Sequence, residues 1–527
     1  MEKVYVGIDL GTTTTLIATA KDTGEIIVLN IFQNDREGRE IESSYLKSVA
    51  YFPEEGNPLV GLQAEYRGQQ DPTRFVRAVK RQMGRRILLP VVEREPYQVS
   101  ALYLEKALYT AKRKLSGDMV FTVTVPASFT SNQRADTLQA LKEACRRTGI
   151  RFPDKTGELF ISEPVAAMLA FLDQDLRRPV RFRKLDYERD VNRVIVYDIG
   201  GGTTDLTQVY IEAVRKPVEK VTDLRVRVEE ISYYNPFGGE DFDFQIAEQI
   251  YRYFLRQYPE LEDLELKPIE RLAVRLQFEA IAKEVKEKLS DRYRDLSEDE
   301  NPFGDIDLSS LKQKYQGEIR VQGQTYMCSG EMSWAELEGC VNGLLYTPSR
   351  RGIIAPLRSL LEKSHFSPND IDGLLLVGGM ARFPLIAKVL KEEFDQQKIW
   401  VFDPPEHAVV RGAALYSYLR VKEPGFILEE PAADAYYVQT DKGFDQILPS
   451  RSRKGAKKVY KLKRDTSELV LHIFSGEDAE NEAREEIYHT LIYQGAVRLR
   501  LGKEYKEGTQ VWVQVLYEGE GSESDHS

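Results

Sequence analysis

The stretch that most constrains the fold is residues 192–210, NRVIVYDIGGGTTDLTQVY. Residues 194–197 form a short apolar, β-branched run that reads as a buried strand. Asp198 closes it, Gly200, Gly201 and Gly202 follow, and Thr203, Thr204 and Asp205 lead into a second strand over 206–211. Consecutive glycines reach backbone angles closed to other residues, so their amides can turn inward around an anion. Strand, glycine turn and strand, with a carboxylate at each side, can cradle a phosphate and its metal. Standing alone, such a unit reads more readily as an ordinary hairpin.

It does not stand alone. At the N-terminus, residues 4–8 form a strand, Asp9, Leu10, Gly11, Thr12, Thr13, Thr14 and Thr15 a turn, and residues 16–18 the next strand. Two strand–Asp–Gly–Thr–Thr–strand units far apart in one chain argue for an internal duplication. Two facing halves of this kind would close on one nucleotide. A third glycine turn, Gly378-Gly379, follows the apolar strand 373–377 and precedes Pro384, which suits the first turn of a helix running to Phe394. A strand–Gly-Gly–helix unit brings backbone close to a ligand at the carboxyl end of a sheet. It is neither a P-loop, which ends Gly-Lys-Ser/Thr, nor a dinucleotide fingerprint.

A chain of 527 residues has room for several domains. Its net charge of −11 speaks against nucleic acid as the main partner. Three cysteines without metal-like spacing and five scattered histidines predict neither a disulfide framework nor a zinc site. The first strand starts at the N-terminus, so no signal peptide is expected, and no apolar run approaches membrane-spanning length. The expectation is a cytoplasmic protein with no membrane and no nucleic-acid partner.

Between the glycine turns, residues 72–86 (PTRFVRAVKRQMGRR) space Phe75, Val76, Val79 and Met83 as a helix, which makes Lys80 a solvated charge on local grounds. Strand 120–125 ends at Pro126, and Ser131 is expected to cap a helix over 132–148 that stops at Gly149. Residues 159–161 form a strand leading to Glu163-Pro164. The proline should hold Glu163 out of helical geometry at the end of a strand, where open α/β sheets bind ligands. A helix-start carboxylate is an equally good local reading. Residues 272–289 predict a long charged helix and 334–361 a mostly helical segment. From Ala435 the texture turns to β, ending in the alternating run 510–516, expected to be half buried. The basic cluster 451–464 reads as a solvated strand edge, and 519–527 as a disordered tail.

Taken together, GIDLGTT, YDIGGGTTD, LVGGMARFP, AVKRQMGRR, VTVPASF, ISEPVAAML, FGGEDFD and RGAAL resemble, in family order over roughly residues 1–420, the seventy-kilodalton heat-shock chaperone family of the actin and sugar-kinase ATPase superfamily. The resemblance implies an α/β fold of two actin-like lobes, a duplicated ribonuclease H-like topology, around a deep cleft. Lobe I would hold about 1–190 plus 395–420 and lobe II about 191–394. A linker (421–434) and a small all-β sandwich-like, substrate-binding-like domain (435–518) would follow.

The resemblance also implies a slow ATPase using ATP/ADP and Mg²⁺. Asp9 and Asp198 would hold the metal largely through water. Gly11, Thr12, Thr13, Thr14 and Thr203 would bind phosphate oxygens, with Gly201 and Gly202 packing on phosphate. Lys80 would reach the γ-phosphate and the attacking water, which Glu163 and Asp205 would orient. Gly239, Gly378, Gly379, Lys286 and Ser290 would contact the nucleotide, Arg382 would stack near the base, and Pro126 and Arg134 would relay nucleotide state. Lys283 stands where the family pattern has a glutamate. No sequence follows Ser527 for a helical lid, so the β module is expected to be lidless. Expected partners are unfolded or extended peptide segments, with a J-domain co-chaperone and a nucleotide exchange factor. The alternative is a nucleotide-switched adaptor for one dedicated folded partner. A filament-forming or sugar-kinase reading fits the hairpins but not the order of the other motifs.

Overall fold

In a computed structural model the described residues are 3–85, 87–89, 92–153, 159–215, 222–232, 235–296, 308, 311–347, 351–423, 428–429, 435–441, 443–449, 456–476 and 492–515. Two six-stranded sheets carry the architecture. In the first, Lys3–Leu10 and Thr14–Ala20 form an antiparallel hairpin, and Ile26–Val28 continues the meander. Asp118–Val125 then lies parallel to Lys3–Leu10, with Phe160–Ser162 parallel beyond it. The second sheet repeats this wiring. Val191–Ile199, Thr204–Arg215 and Thr222–Ile231 form the meander, and Gly373–Val377 and Ile399–Val401 add in parallel on the other side. The repeat inferred from the two hairpins thus extends to the strand order of both sheets.

The central strands are covered on both faces. Gly373–Val377 is buried throughout, as is the apolar centre of Val191–Ile199, which is why these strands read as continuous apolar runs without alternation. Two helices, Glu163–Leu176 and Ala408–Lys422, share a core with Val194, Val196, Val209 and Leu375 of the second sheet. Ala408–Lys422 also sets Val410 and Ala414 against Leu16 and Ala18 of the first hairpin. These helices join the sheets back to back and turn both glycine hairpins toward one cleft. The contact needs bare backbone. A Cβ at Gly412 would lie 1.7 Å from the Ala166 carbonyl oxygen, and one at Gly7 would lie 2.2 Å from the Ala414 nitrogen.

Several local expectations are corrected. Residues 72–86 are not a helix. Pro72–Arg74 is a 3-10 turn, Phe75–Arg77 a strand paired with Val49–Tyr51, and Val79–Gln82 another 3-10 turn after left-handed Ala78 (φ 53°). Lys80 is consequently buried, not solvated. Thr130, not Ser131, caps the helix Ser131–Thr148, in a reciprocal pair with Gln133. Glu163 lies within the helix it opens, with Pro164 in the first turn where proline is tolerated. The long helix spans Pro268–Leu296, and 334–361 divides into Trp334–Leu345 and Ile354–Ser364.

Past Lys422, Leu428–Glu429 pairs in parallel with Val226 and Arg227 at the open edge of the second sheet. The C-terminal strands form one four-stranded sheet, ordered Gly443–Leu448, Ala435–Thr440, Thr466–Gly476, Ile492–Tyr505, and a separate pair, Ala456–Lys461 with Gln510–Val515. Within the 510–516 run, residues 511–513 are less buried than the alternation suggests. Val511 and Val513 are only half-buried, and Trp512 is 59% exposed with the Lys457 ammonium 4.3 Å from its ring. The expected tail 519–527 lies outside the described residues. No described helix is long and apolar enough to cross a membrane.

Gly412→Ala is expected to shift the urea midpoint down by the equivalent of about 1–3 kcal/mol or more, because the new methyl meets backbone that cannot yield. Gly343→Ala, in the helix Trp334–Leu345 with open space at its Cβ, should leave the midpoint unchanged or raise it.

Candidate functional site

A cavity of about 510 Å³ lies between the two hairpins. Asp9, Gly11, Thr12, Thr13 and Thr14 line it from the first turn, and Asp198, Gly201, Gly202 and Thr203 from the second. The turns nearly touch, since a Cβ on Gly201 would stand 2.7 Å from Thr13 Oγ1. Gly378 and Gly379 form a further wall. Gly378 adopts φ +83°, and a Cβ there would sit 2.4 Å from Asp198 Oδ1, so the third glycine turn closes on the carboxylate of the second. Gly239 opens the helix Gly239–Gln257, and its amide donates to the Gly200 carbonyl at 3.0 Å.

At the floor, Lys80 donates to Glu163 in a buried ion pair. Thr124 Oγ1 donates to Asp9 Oδ1 at 2.8 Å. Asp205 is the one expected catalytic residue that does not line the cavity. It stands behind the wall, within electrostatic reach of Glu163 and Lys80, and its Oδ1 is buried with no hydrogen-bond partner among the described residues. Burial, then the Glu163 carboxylate, lifts Asp205 to about 7 and Asp9 to about 6. The same two causes push Asp198 well above the usual carboxylate range. Burial opposes charge on Lys80, but Glu163 and Asp9 outweigh it and hold its pKa above the ordinary lysine value.

At the other end, Lys286 is ion-paired to Asp243 at 2.7 Å and donates to the Gly239 carbonyl at 3.2 Å. One turn on, Ser290 Oγ donates to the Lys286 carbonyl at 2.7 Å. Arg382 also lines the cavity, its guanidinium fixed by two hydrogen bonds to Glu406 at 2.8 and 3.0 Å. Pro126 and Arg134 lie outside the lining. The Pro126 carbonyl accepts from Phe129 N at 3.0 Å, and Lys80 Nζ stands 5.8 Å from the Phe129 ring centroid, so this turn reaches the floor through one aromatic side chain.

Two other lining residues, Arg77 and Lys47, and Arg81 just behind the second glycine turn, were not legible in the sequence. Arg77 crosses the cleft to Glu240 and Glu279, each at 3.2 Å. Lys47, paired through its backbone with Thr14, faces Lys283 of the long helix. Arg81 donates to the Gly202 carbonyl. The signal for Arg77 and Arg81 was proximity to Lys80 in one short segment; for Lys47 there was none.

The donor set suits a hard cation held through water. No group of three or more ligating side chains converges among the described residues, whereas two half-buried carboxylates with raised proton affinity face the glycine turns. Mg²⁺ keeps most of its waters and takes one or two carboxylates besides phosphate oxygens. Asp9 and Asp198 fit that requirement.

The family model described as Hsp70 protein matches residues 5–97 and 93–443. The chaperone protein DnaK of Thermosipho melanesiensis is 28% identical over 492 residues, covering 90% of this chain and 71% of the relative. DnaK of Thermotoga neapolitana is 28% identical over 489 residues with the same coverage. The chain belongs to the Hsp70 family.

Without cation and nucleotide, the raised carboxylates make the folded state bind protons that the unfolded chain has released. Stability should therefore fall as pH rises from about 4 to about 7, since ∂ΔG/∂pH is negative wherever the folded state holds more protons. Thermal melts should show a Tm that drops across this window in wild type and drops less in Asp205→Asn. An equal drop in both would remove Asp205 from the cause.

Proposed function

We propose that the chain binds ATP with Mg²⁺ in this cleft, hydrolyses it to ADP and phosphate, and uses the nucleotide state to control binding by its C-terminal β region. The observation that carries this reading is the convergence of three glycine turns and the Lys80–Glu163 pair on one cavity. The fold is read as two actin-like lobes of ribonuclease H-like topology, which the repeated strand order supports, followed by a sandwich-like substrate-binding module. The lobes, linker and β module have the bounds given above.

Asp9 and Asp198 would hold Mg²⁺, which when bound neutralises phosphate charge. The hydroxyls of Thr12, Thr13, Thr14 and Thr203 and the amides of Gly11, Gly201 and Gly202 hold phosphate oxygens. Lys80 places its ammonium at the γ-phosphate. Glu163 fixes Lys80 and, with Asp205, orients the water; an Asp205 that takes up protons near neutral pH is suited to accept the one the water sheds. Phosphoryl transfer asks for this kind of positioning and charge neutralisation more than for covalent chemistry. Lys286, Ser290, Gly239, Gly378 and Gly379 hold the nucleoside. Arg382, fixed by Glu406, presents a preset face to the base.

The parallel pairing of Leu428–Glu429 with the second sheet supports a mechanical route from cleft to β region. Pro126 and Arg134 would feed that route through Phe129 and Lys80. Exposed Val459, Val497, Leu499 and Trp512 leave apolar surface on the β region for an extended peptide or for one folded partner. A J-domain co-chaperone and an exchange factor would act on the same cycle, in the cytoplasm.

Single-turnover hydrolysis tests the reading. Lys80→Ala should lose roughly 100-fold or more in rate, and extended peptides should accelerate wild type. A mutant that hydrolyses normally would sink the assignment of Lys80. Wild-type turnover indifferent to peptide would move the function to the adaptor. Coupling is reciprocal, so a peptide whose affinity drops on adding ATP must weaken ATP binding by the same factor in a titration.

A further inference from the structure

Arg77 spreads its guanidinium between two helices. Nη2 meets Glu240 Oε2, in the first turn of Gly239–Gln257, and Nη1 meets Glu279 Oε2, in Pro268–Leu296, each at 3.2 Å. All three residues line the cavity. Glu279 is also held from its own helix, because Arg275 Nε donates to its Oε1 at 2.6 Å. The Arg275 guanidinium in turn lies 4.3 Å from the centre of the Phe244 ring. The clasp is therefore a network with a preset acceptor, which an isolated surface pair lacks. The Arg77 side chain is 34% exposed against 7% for Lys80, so the clasp stands nearer the rim of the cleft than its floor.

The backbone attachments of the clasp decide what it can do. Arg77 pairs across strands with Val49, and the neighbouring Ser48 amide donates to the Thr13 carbonyl of the first glycine turn at 2.9 Å. On the far side, the Glu240 amide donates to the Gly201 carbonyl of the second turn at 2.6 Å. A short path thus runs from Thr13 through Ser48, Val49, Arg77 and Glu240 to Gly201. Its one side-chain link is the Arg77–Glu240 ion pair. The Glu279 branch ties the same guanidinium to the helix that carries Lys286 and Ser290. Moving the two turns apart breaks these partly exposed ion pairs before it breaks strand pairing.

We infer that Arg77 is a positioning residue that latches the two glycine turns together, so that breaking its ion pairs is a required step in release of the bound ligand. The latch is a property of the fold and acts on whatever the cleft holds. Only the choice of ADP as probe rests on the nucleotide reading. Weakening the latch raises the open population, and with it the release rate, by the same factor. Its partial exposure makes it sensitive to salt.

Stopped-flow release of a fluorescent ADP analogue from the full chain, at low and high salt, tests this. The variants are Arg77→Gln, Glu240→Gln, the two combined, Arg77→Lys, and Lys388→Gln, whose ion pair with Glu338 lies outside the cavity lining. Arg77→Gln should release roughly tenfold faster than wild type, between the small worth of an exposed pair and the larger worth of a buried one. Arg77→Lys should fall between the two, since an ammonium lacks the fork that reaches both carboxylates. Glu240→Gln should add less to Arg77→Gln than to wild type. High salt should speed release from wild type and Lys388→Gln much more than from Arg77→Gln. An arginine with only a structural role would leave that salt dependence in place. Release from Arg77→Gln at the wild-type rate, or with undiminished salt dependence, overturns the latch and leaves the nucleotide reading standing. Hydrogen exchange supplies a readout without ligand: the Gly239 and Glu240 amides, bonded to the Gly200 and Gly201 carbonyls, should exchange faster in Arg77→Gln. Faster exchange in a chain that does not bind the ADP analogue keeps the latch and overturns the nucleotide reading. Unchanged exchange in such a chain overturns both.

Discussion

The arrangement depends on one buried concentration of like charge. Asp9, Asp198, Asp205 and Glu163 are gathered around a single ammonium, Lys80, where burial raises the proton affinity of three of them. Left alone, such a cluster favours protonation or opening of the cleft. It is tolerable because the two sheets fix Asp9, Asp198 and Asp205 at strand ends, the start of the helix Glu163–Leu176 fixes Glu163, and the glycine turns leave room for compensating positive charge. The same arrangement makes the empty cleft costly, so any ligand that brings positive charge into it stabilises the folded state.

The parts of this legible in the sequence were those coded locally. Asp198 with Gly200–202, Asp9 with Gly11, and Gly378-Gly379 each follow a strand, and a strand followed by glycine has few other uses. The chemistry of Lys80 was not local. Residues 72–86 space their apolar side chains as a helix would, but Phe75–Arg77 is claimed by Val49–Tyr51, a pairing that no window around Lys80 contains. That strand and the left-handed turn at Ala78 send Lys80 inward to Glu163. The cross-cleft partners of Arg77 and the approach of Lys47 to Lys283 are likewise long-range, set by residues far apart in the chain. Family order of motifs pointed to Lys286 and Ser290 on the long helix, which line the cavity.

The C-terminal β region was read least well, for a related reason. Alternation in 510–516 specifies two faces but not what covers either. Here Gln510–Val515 pairs, among the described residues, only with Ala456–Lys461, and Trp512 stays 59% exposed beside Lys457.

The short strand Leu428–Glu429 has a consequence beyond signal transmission. Thr222–Ile231 would otherwise present an open row of backbone donors and acceptors, the surface through which sheets join edge to edge with other chains. Two linker residues cap part of that row. Any state that withdraws them uncovers a template for strand addition, so the undocked protein is also the form most prone to self-association.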